Sequence, residues 1–314
     1  MDEYNCNRMC DPSRADELFS PVETSVFLQR YSGNLPFIIR GTSKRFSHIF
    51  SWDVVNETLS SMRLDPSRMH LVHAEGHSLH SVSEPVPQLG PRGRPRRVVA
   101  EKLTNQLSAG ATLVIDGVEE LHLPLRSLVA GLEDIVRTFV QANLYVNTSP
   151  GGKGFGAHWD DHDAVIIQAA GEKSWSLWPP STAAPMYGVT KERLNEESTP
   201  YWSGSLFQGD LLYLPRGWWH RVIATENPTA HLTLGYRPPT GFDLLSELLK
   251  VCRQHNDVFR QDIPRFATAS VLGEYLQKLK SEMYAVLESS GSFERIADDL
   301  KDARQTRPEF HLPK

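Results

Sequence analysis

The feature that most constrains this chain is a polar heptapeptide, Ala157-His158-Trp159-Asp160-Asp161-His162-Asp163, running directly into Ala164-Val165-Ile166-Ile167-Gln168. A short apolar run rich in β-branched residues predicts a buried strand. Alternate side chains of a strand share a face, so His158, Asp160 and His162 should point one way and Asp161 and Asp163 the other. An imidazole and a carboxylate two apart on one face are two of the three donors of a 2-His-1-carboxylate metal site. A second pattern supplies the third donor. Gly209-Asp210, the apolar stretch Leu211 to Leu214, then Pro215-Arg216-Gly217-Trp218-Trp219-His220 reads as turn, buried strand, turn, histidine. A lone H-x-D is common in solvated loops, but both patterns in this order argue for one site. His158, Asp160 and His220 are the expected donors, with His162 or Asp161 as competing choices. Imidazole plus carboxylate suits Fe(II), Mn, Ni and Zn alike, so the pattern does not name the ion.

Composition narrows the setting. With 314 residues, 40% hydrophobic and 23% charged, the chain is ordinary soluble globular material for one large domain and a smaller one. A net charge of −5 argues against direct nucleic-acid binding by the whole surface. No apolar run is long enough to span a membrane, and the N-terminus lacks the pattern of a secretory signal. Cys6, Cys10 and Cys252 are too few for a disulfide framework and fit a reducing, cytoplasmic compartment.

Taken in order, residues 1–20 read as a flexible lead-in, holding Cys6 and Cys10 as free thiols. Helical spacing is found from Pro21 to Tyr31, after Ser51, from Val98 to Leu107 and from Pro124 to Val140. Four histidines between His70 and His80 read as solvated groups near a hairpin. The segment Glu84 to Arg97, with Arg92, Arg94, Arg96 and Arg97 among prolines and glycines, reads as a mobile basic loop. It could steer an acidic substrate. Short strands then recur from Asn143 to Tyr236, which predicts a mainly β fold, a double-stranded β-helix of jelly-roll type, flanked by helices. From Gly241 onward the pattern is helical. The expected division is 1–20, 21–240 and 241–314.

The segment Y-V-N-T-S-P-G-G-K-G-F-G-A-H-W-D-D-H-D-A-V-I-I-Q-A-A-G-E-K-S-W-S-L-W-P, from Tyr145, resembles the JmjC-type cupins of the ribosomal oxygenase group. So do the L-P-R-G-W-W-H and H-L-T-L-G-Y-R-P segments, and the likeness runs from about Leu35 to Pro238. It implies a hydroxylase using Fe(II), 2-oxoglutarate and O2 on an amino-acid side chain of a protein or peptide. A small molecule or biosynthetic peptide is the alternative substrate, and a non-catalytic metal-binding cupin is the alternative of another class. The resemblance places Lys173 as the clamp for the far carboxylate of 2-oxoglutarate, and a lysine in such a strand is costly to bury without an anion. It adds Asn143, Tyr145 and Thr148 to the co-substrate site, and puts Gly235 where some members carry a co-substrate serine, so that contact is either missing or replaced by Thr233. His162, Trp159, Arg216 and Trp218 are candidate cleft residues. The C-terminal helices correspond to a dimerisation module, and a winged helix that follows it in the family looks truncated or absent.

Overall fold

The computed structural model describes residues 1–11, 14–61, 68–73, 76–77, 80–85, 96–149, 156–190, 193–195, 197–226, 228–288 and 291–304. Its strands are β1 (Asp2–Cys6), β2 (Phe37–Gly41), β3 (Met69–His73), β4 (Gly76–His77), β5 (Ser83–Pro85), β6 (Arg96–Val98), β7 (Thr112–Ile115), β8 (Val140–Asn147), β9 (Asp163–Ala170), β10 (Glu172–Trp178), β11 (Trp202–Phe207), β12 (Leu211–Leu214), β13 (Trp219–Ala224) and β14 (Thr229–Tyr236). Helices are α1 (Thr24–Val26), α2 (Trp52–Ser61), α3 (Ala100–Ser108), α4 (Leu123–Val136), α5 (Gly241–His255), α6 (Ala269–Glu288) and α7 (Ser292–Asp299).

Nine strands form one sheet in the order β1-β2-β12-β9-β14-β8-β7-β3-β4, and β11-β10-β13 form a second. The period-2 rule explains how they pack. On the large sheet Phe37, Ile39, Val165, Ile167, Leu211, Leu232, Leu234 and Leu144 face a core that includes Leu125, Leu128 and Leu132 of α4. Their neighbours Ile38, Ala164, Ile166, Leu212 and Leu214 face the other way and pack with Trp175, Leu177 and Leu206 of the small sheet. Strand β9 is therefore buried on both faces along its whole length, which is why its sequence is apolar apart from Asp163 and Gln168. A cavity is walled by residues of β8, β9, β10, β13 and β14.

Several expectations need correction. The first residues are not a loose lead-in, because β1 adds to the sheet edge parallel to β2. Cys6 and Cys10 are free thiols, as expected, but both are buried in the core. Burial pushes the Cys10 thiol up to about 12, leaving it inert. The helix expected from Pro21 to Tyr31 is one α-turn, α1, followed by a wider π-turn over Phe27–Tyr31. Helix α4 stops at Val136, and Arg137, with φ of 55°, turns the chain into β8. The basic segment is not wholly irregular: β5 pairs with β6, and Arg97 meets Glu84 at 2.8 Å. Arg92 and Arg94 lie outside the described residues. Of the four nearby histidines, His70 is paired with Asp116 at 2.8 Å.

The chain divides into two compact units, Met1–Val136 with Val140–Arg237, and Arg137–Phe139 with Pro238–Lys314. In the second, Thr240 and Asp243 make a reciprocal capping box at the start of α5, satisfying donors the first helical turn leaves open. Leu248, Cys252, Val286 and Ile296 form its small core. No helix among the described residues is long and apolar enough to cross a membrane.

Candidate metal centre and co-substrate cavity

Strand β9 begins only at Asp163, so His158 and Asp160 do not lie in a regular strand as expected. They are placed by bonds to the other motif. The His158 amide donates to the His220 carbonyl at 3.0 Å and the His220 amide donates back at 2.7 Å, an isolated antiparallel bridge. Gly217 donates its amide to the Asp160 carbonyl at 2.9 Å. Asp163 completes the seam, accepting from the Arg216 amide at 2.8 Å and from the Tyr213 hydroxyl at 2.8 Å. Gly217 has φ of 82°, and a Cβ there would lie 2.3 Å from Pro185 Cγ. Only glycine fits that turn.

This seam brings one donor atom each of His158, Asp160 and His220 within 4.8 Å of one another. His158 Nδ1 lies 3.1 Å from the Gly156 carbonyl and His220 Nδ1 lies 3.1 Å from that of Trp218. A carbonyl can only accept, so each Nδ1 carries a proton, which leaves Nε2 as the nitrogen available to a metal. Nε2 of His220 sits 3.6 Å from Asp160 Oδ2. Burial, then the neighbouring His158, lowers the His220 pKa to about 4, so its ring is neutral. Burial opposes ionisation of Asp160, but His220, His162, His158 and the Tyr187 hydroxyl prevail and hold its pKa below the usual carboxylate range. Two imidazoles and one carboxylate fit a divalent transition metal and leave coordination positions open.

The donors face a cavity of about 300 Å³ whose walls include Tyr145, Asn147, Lys173, Trp175, His231 and Thr233. Lys173 is 1% exposed. Its Nζ donates to the Tyr145 carbonyl at 3.2 Å and to His231 Nδ1 at 2.9 Å. No carboxylate pairs with it among the described residues. Burial alone lowers the lysine to about 7. Burial, then the adjacent Lys173, holds His231 well below the usual histidine range. His231 also stacks on Tyr145, with ring centres 4.6 Å apart. The cavity therefore has a metal-binding part and a desolvated part with a single buried amine, and Trp175, Tyr145 and His231 stand in its wall.

Other candidates are placed differently. Tyr145, Thr233 and His162 line the cavity, but Asn143 and Thr148 do not. Asn143 instead accepts from the Gly117 amide at 3.3 Å and from Gln141 at 2.9 Å. Trp159 is packed with Trp178 and Trp219, and Trp218 lies in the core between the sheets, so neither walls the cleft. Arg216 takes part through its backbone, and its side chain is not in the wall. His162 occupies the space beside Gly235, where a Cβ would come within 2.8 Å of its ring. Sequence reasoning missed His231, Tyr187 and the Asn147–Thr112 pair, bonded at 2.7 Å in the cavity wall. The alternation of β14 carried a signal for His231, which shares the face of Thr233 and Gly235.

The JmjC domain profile matches residues 121–244, the span holding all three donors and Lys173. The chain is 27% identical over 237 residues to the bifunctional lysine-specific demethylase and histidyl-hydroxylase NO66 of Drosophila pseudoobscura pseudoobscura, covering 74% of this chain and 24% of that protein. It is 28% identical over 263 residues to NO66 of Drosophila melanogaster, covering 81% and 39%. The chain thus spans well under half the length of these curated relatives. Among solved structures, Escherichia coli YcfD matches with a TM-score of 0.59 at 18% identity, covering 93% of this chain and 75% of that one. YcfD, a ribosomal oxygenase, in complex with cobalt and 2-oxoglutarate matches with a TM-score of 0.57 at 19% identity, over 93% and 74%. At such identities the likeness is one of fold, and the fold is the one built above from β1 to β14. The profile spans the motifs that build the metal centre, and over residues 121–244 this chain is similar to a JmjC domain.

Proposed function

We propose that the protein is an Fe(II)- and 2-oxoglutarate-dependent hydroxylase acting on an amino-acid side chain of a protein or peptide. The observation that carries the reading is Lys173, a buried amine held only by neutral groups at the far end of a cavity from His158, Asp160 and His220. A dianionic 2-oxo acid has one end for each of these groups. Iron(II) held by the three donors would supply the coupled oxidation, in which 2-oxoglutarate, O2 and R–H give succinate, CO2 and R–OH. The chain's own residues do the rest. His158, Asp160 and His220 hold the metal from one side. Lys173 donates to the far carboxylate, which restores the charge that burial disfavours. Tyr145, Trp175 and His231 exclude water around it, and His162 and Tyr187 stand at the end nearer the donors.

A protein substrate is supported by the relatives, whose names describe a histidyl-hydroxylase and a ribosomal oxygenase. A homodimer formed by the C-terminal helices is part of the reading, supported by Phe242, Leu245 and Leu249, which α5 leaves 65%, 52% and 57% exposed. Residence in the cytoplasm is supported by three unpaired cysteines. The test is mass spectrometry of ribosomal-protein peptides incubated with protein, iron(II), 2-oxoglutarate and air. A one-oxygen gain that needs both additions, with matching succinate, is expected. No succinate under any of these conditions would remove the catalytic reading.

A further inference from the structure

Asp160 has two carboxylate oxygens with different surroundings. Oδ2 faces the His220 imidazole at 3.6 Å, and Oδ1 lies 3.2 Å from the hydroxyl of Tyr187. That hydroxyl also reaches the Trp159 carbonyl at 2.9 Å, so its proton is shared between the donor-bearing segment's backbone and its carboxylate. The ring is held independently, lying against Trp159 with centres 4.8 Å apart. Trp159 is in turn fixed by Trp178, Trp219 and Leu194. Tyr187 comes from the segment between β10 and β11, lines the cavity and is 56% exposed. Neither its packing nor its exposure gives it a part in the core.

We infer that Tyr187 is a positioning residue for the metal: its hydroxyl occupies Asp160 Oδ1, so the carboxylate presents Oδ2 alone to an ion shared with His158 and His220. The inference rests on the metal-site reading above. A free carboxylate can turn about its last bond and offer either oxygen, or both. A hydrogen bond to one oxygen removes that freedom before the ion arrives and leaves a further coordination position for small ligands. Partners of this kind are worth roughly 10- to 100-fold in metal affinity or activity when removed. The tryptophan packing gives the tyrosine a fixed base from which to do it, and the short reach from Trp159 to Asp160 places both acceptors beside one hydroxyl.

The test is titration of the metal-free full chain with cobalt(II), followed by its visible absorption, in wild type, Tyr187→Phe and Leu194→Ala. Tyr187→Phe keeps the ring and loses only the hydroxyl. It should bind cobalt(II) about tenfold or more weakly, with altered band positions and an unchanged melting temperature in the absence of metal. Leu194→Ala loosens the same tryptophan cluster without touching the hydroxyl and should keep the wild-type spectrum. An affinity within twofold of wild type and a superimposable spectrum for Tyr187→Phe would overturn the inference. So would an equal loss in both variants, since packing alone would then explain it. If wild type fails to bind cobalt(II), the metal site itself is refuted.

Discussion

His158 and His220 hydrogen-bond to each other through their backbones in both directions, at 3.0 and 2.7 Å, so the two side chains that would share an ion are paired before any ion is present. Their ring centres are 4.2 Å apart. This bond pair uses no side-chain atom. His158→Ala and His220→Ala should therefore keep the fold while losing the metal, and Asp160→Ala should behave alike. Turnover is expected to drop by ~100-fold or more, since losing a donor costs more than losing its supporting partner. Metal content and far-ultraviolet circular dichroism on the same samples check this. Normal turnover in any one variant would exclude that residue as a donor.

Lys173 ties co-substrate binding to pH. In the free protein its pKa is lowered to about 7 by burial, and a bound carboxylate favours the charged form. Above pH 7 binding of 2-oxoglutarate should therefore take up a proton, and affinity should fall as pH rises. Lys173→Met should weaken binding by about 10- to 100-fold, the worth of a charged hydrogen bond of ~1.5–3 kcal/mol, and abolish the proton uptake. Calorimetry in two buffers of different ionisation heat reads both. Equal proton uptake in wild type and variant would place the linkage elsewhere.

The same shift affects stability without ligand. Below about pH 7 the amine is charged in both folded and unfolded chains, and the folded state carries the full cost of burying it. As pH rises from 7 toward the free-lysine value, the unfolded chain binds more protons than the folded one, so stability rises. The advantage of Lys173→Met over wild type should be largest at or below pH 7 and shrink toward pH 10. Denaturant midpoints across that range measure it, and a constant gap would contradict burial of the amine.

Gly235 and His162 share one space. A methyl group at Gly235 would stand 2.8 Å from the His162 ring, so Gly235→Ala must turn that ring out of its seat. Gly235→Ala and His162→Ala should then alter substrate KM in the same direction. The double variant should add little to either, because residues in contact are coupled and not additive. Independent, additive effects would show that the two positions act separately.

Much of the centre could be read from residue order because two constraints coincide in it. A strand buried on both faces is largely apolar, which makes residues 164–167 of β9 and the whole of β12 visible, and the glycine-bearing turn before His220 is demanded by the close approach of Gly217 to Pro185. Gly209-Asp210 was read as a turn; its further role is that Asp210 accepts from the Gly41 amide and from Arg40, tying β2 to β12. What escaped lacked such a constraint. Tyr187 acts from an irregular segment, where no period reveals a neighbour. Strand β1, Asp-Glu-Tyr-Asn-Cys, is half polar because it is an edge strand. Trp159 and Trp218 went to packing clusters because aromatic residues beside a site satisfy hydrophobic burial as readily as they line a cleft.

The two-faced large sheet has an evolutionary consequence. In β14 the even-numbered Leu232 and Leu234 belong to the helix-side core, while the odd-numbered His231, Thr233 and Gly235 turn toward the cavity side. Chemistry and stability are thus written on alternate letters of the same word. A lineage can edit the odd letters to accept a new target while the even ones go on holding the sheet to its helices, so a change of diet need not pass through an unfolded ancestor.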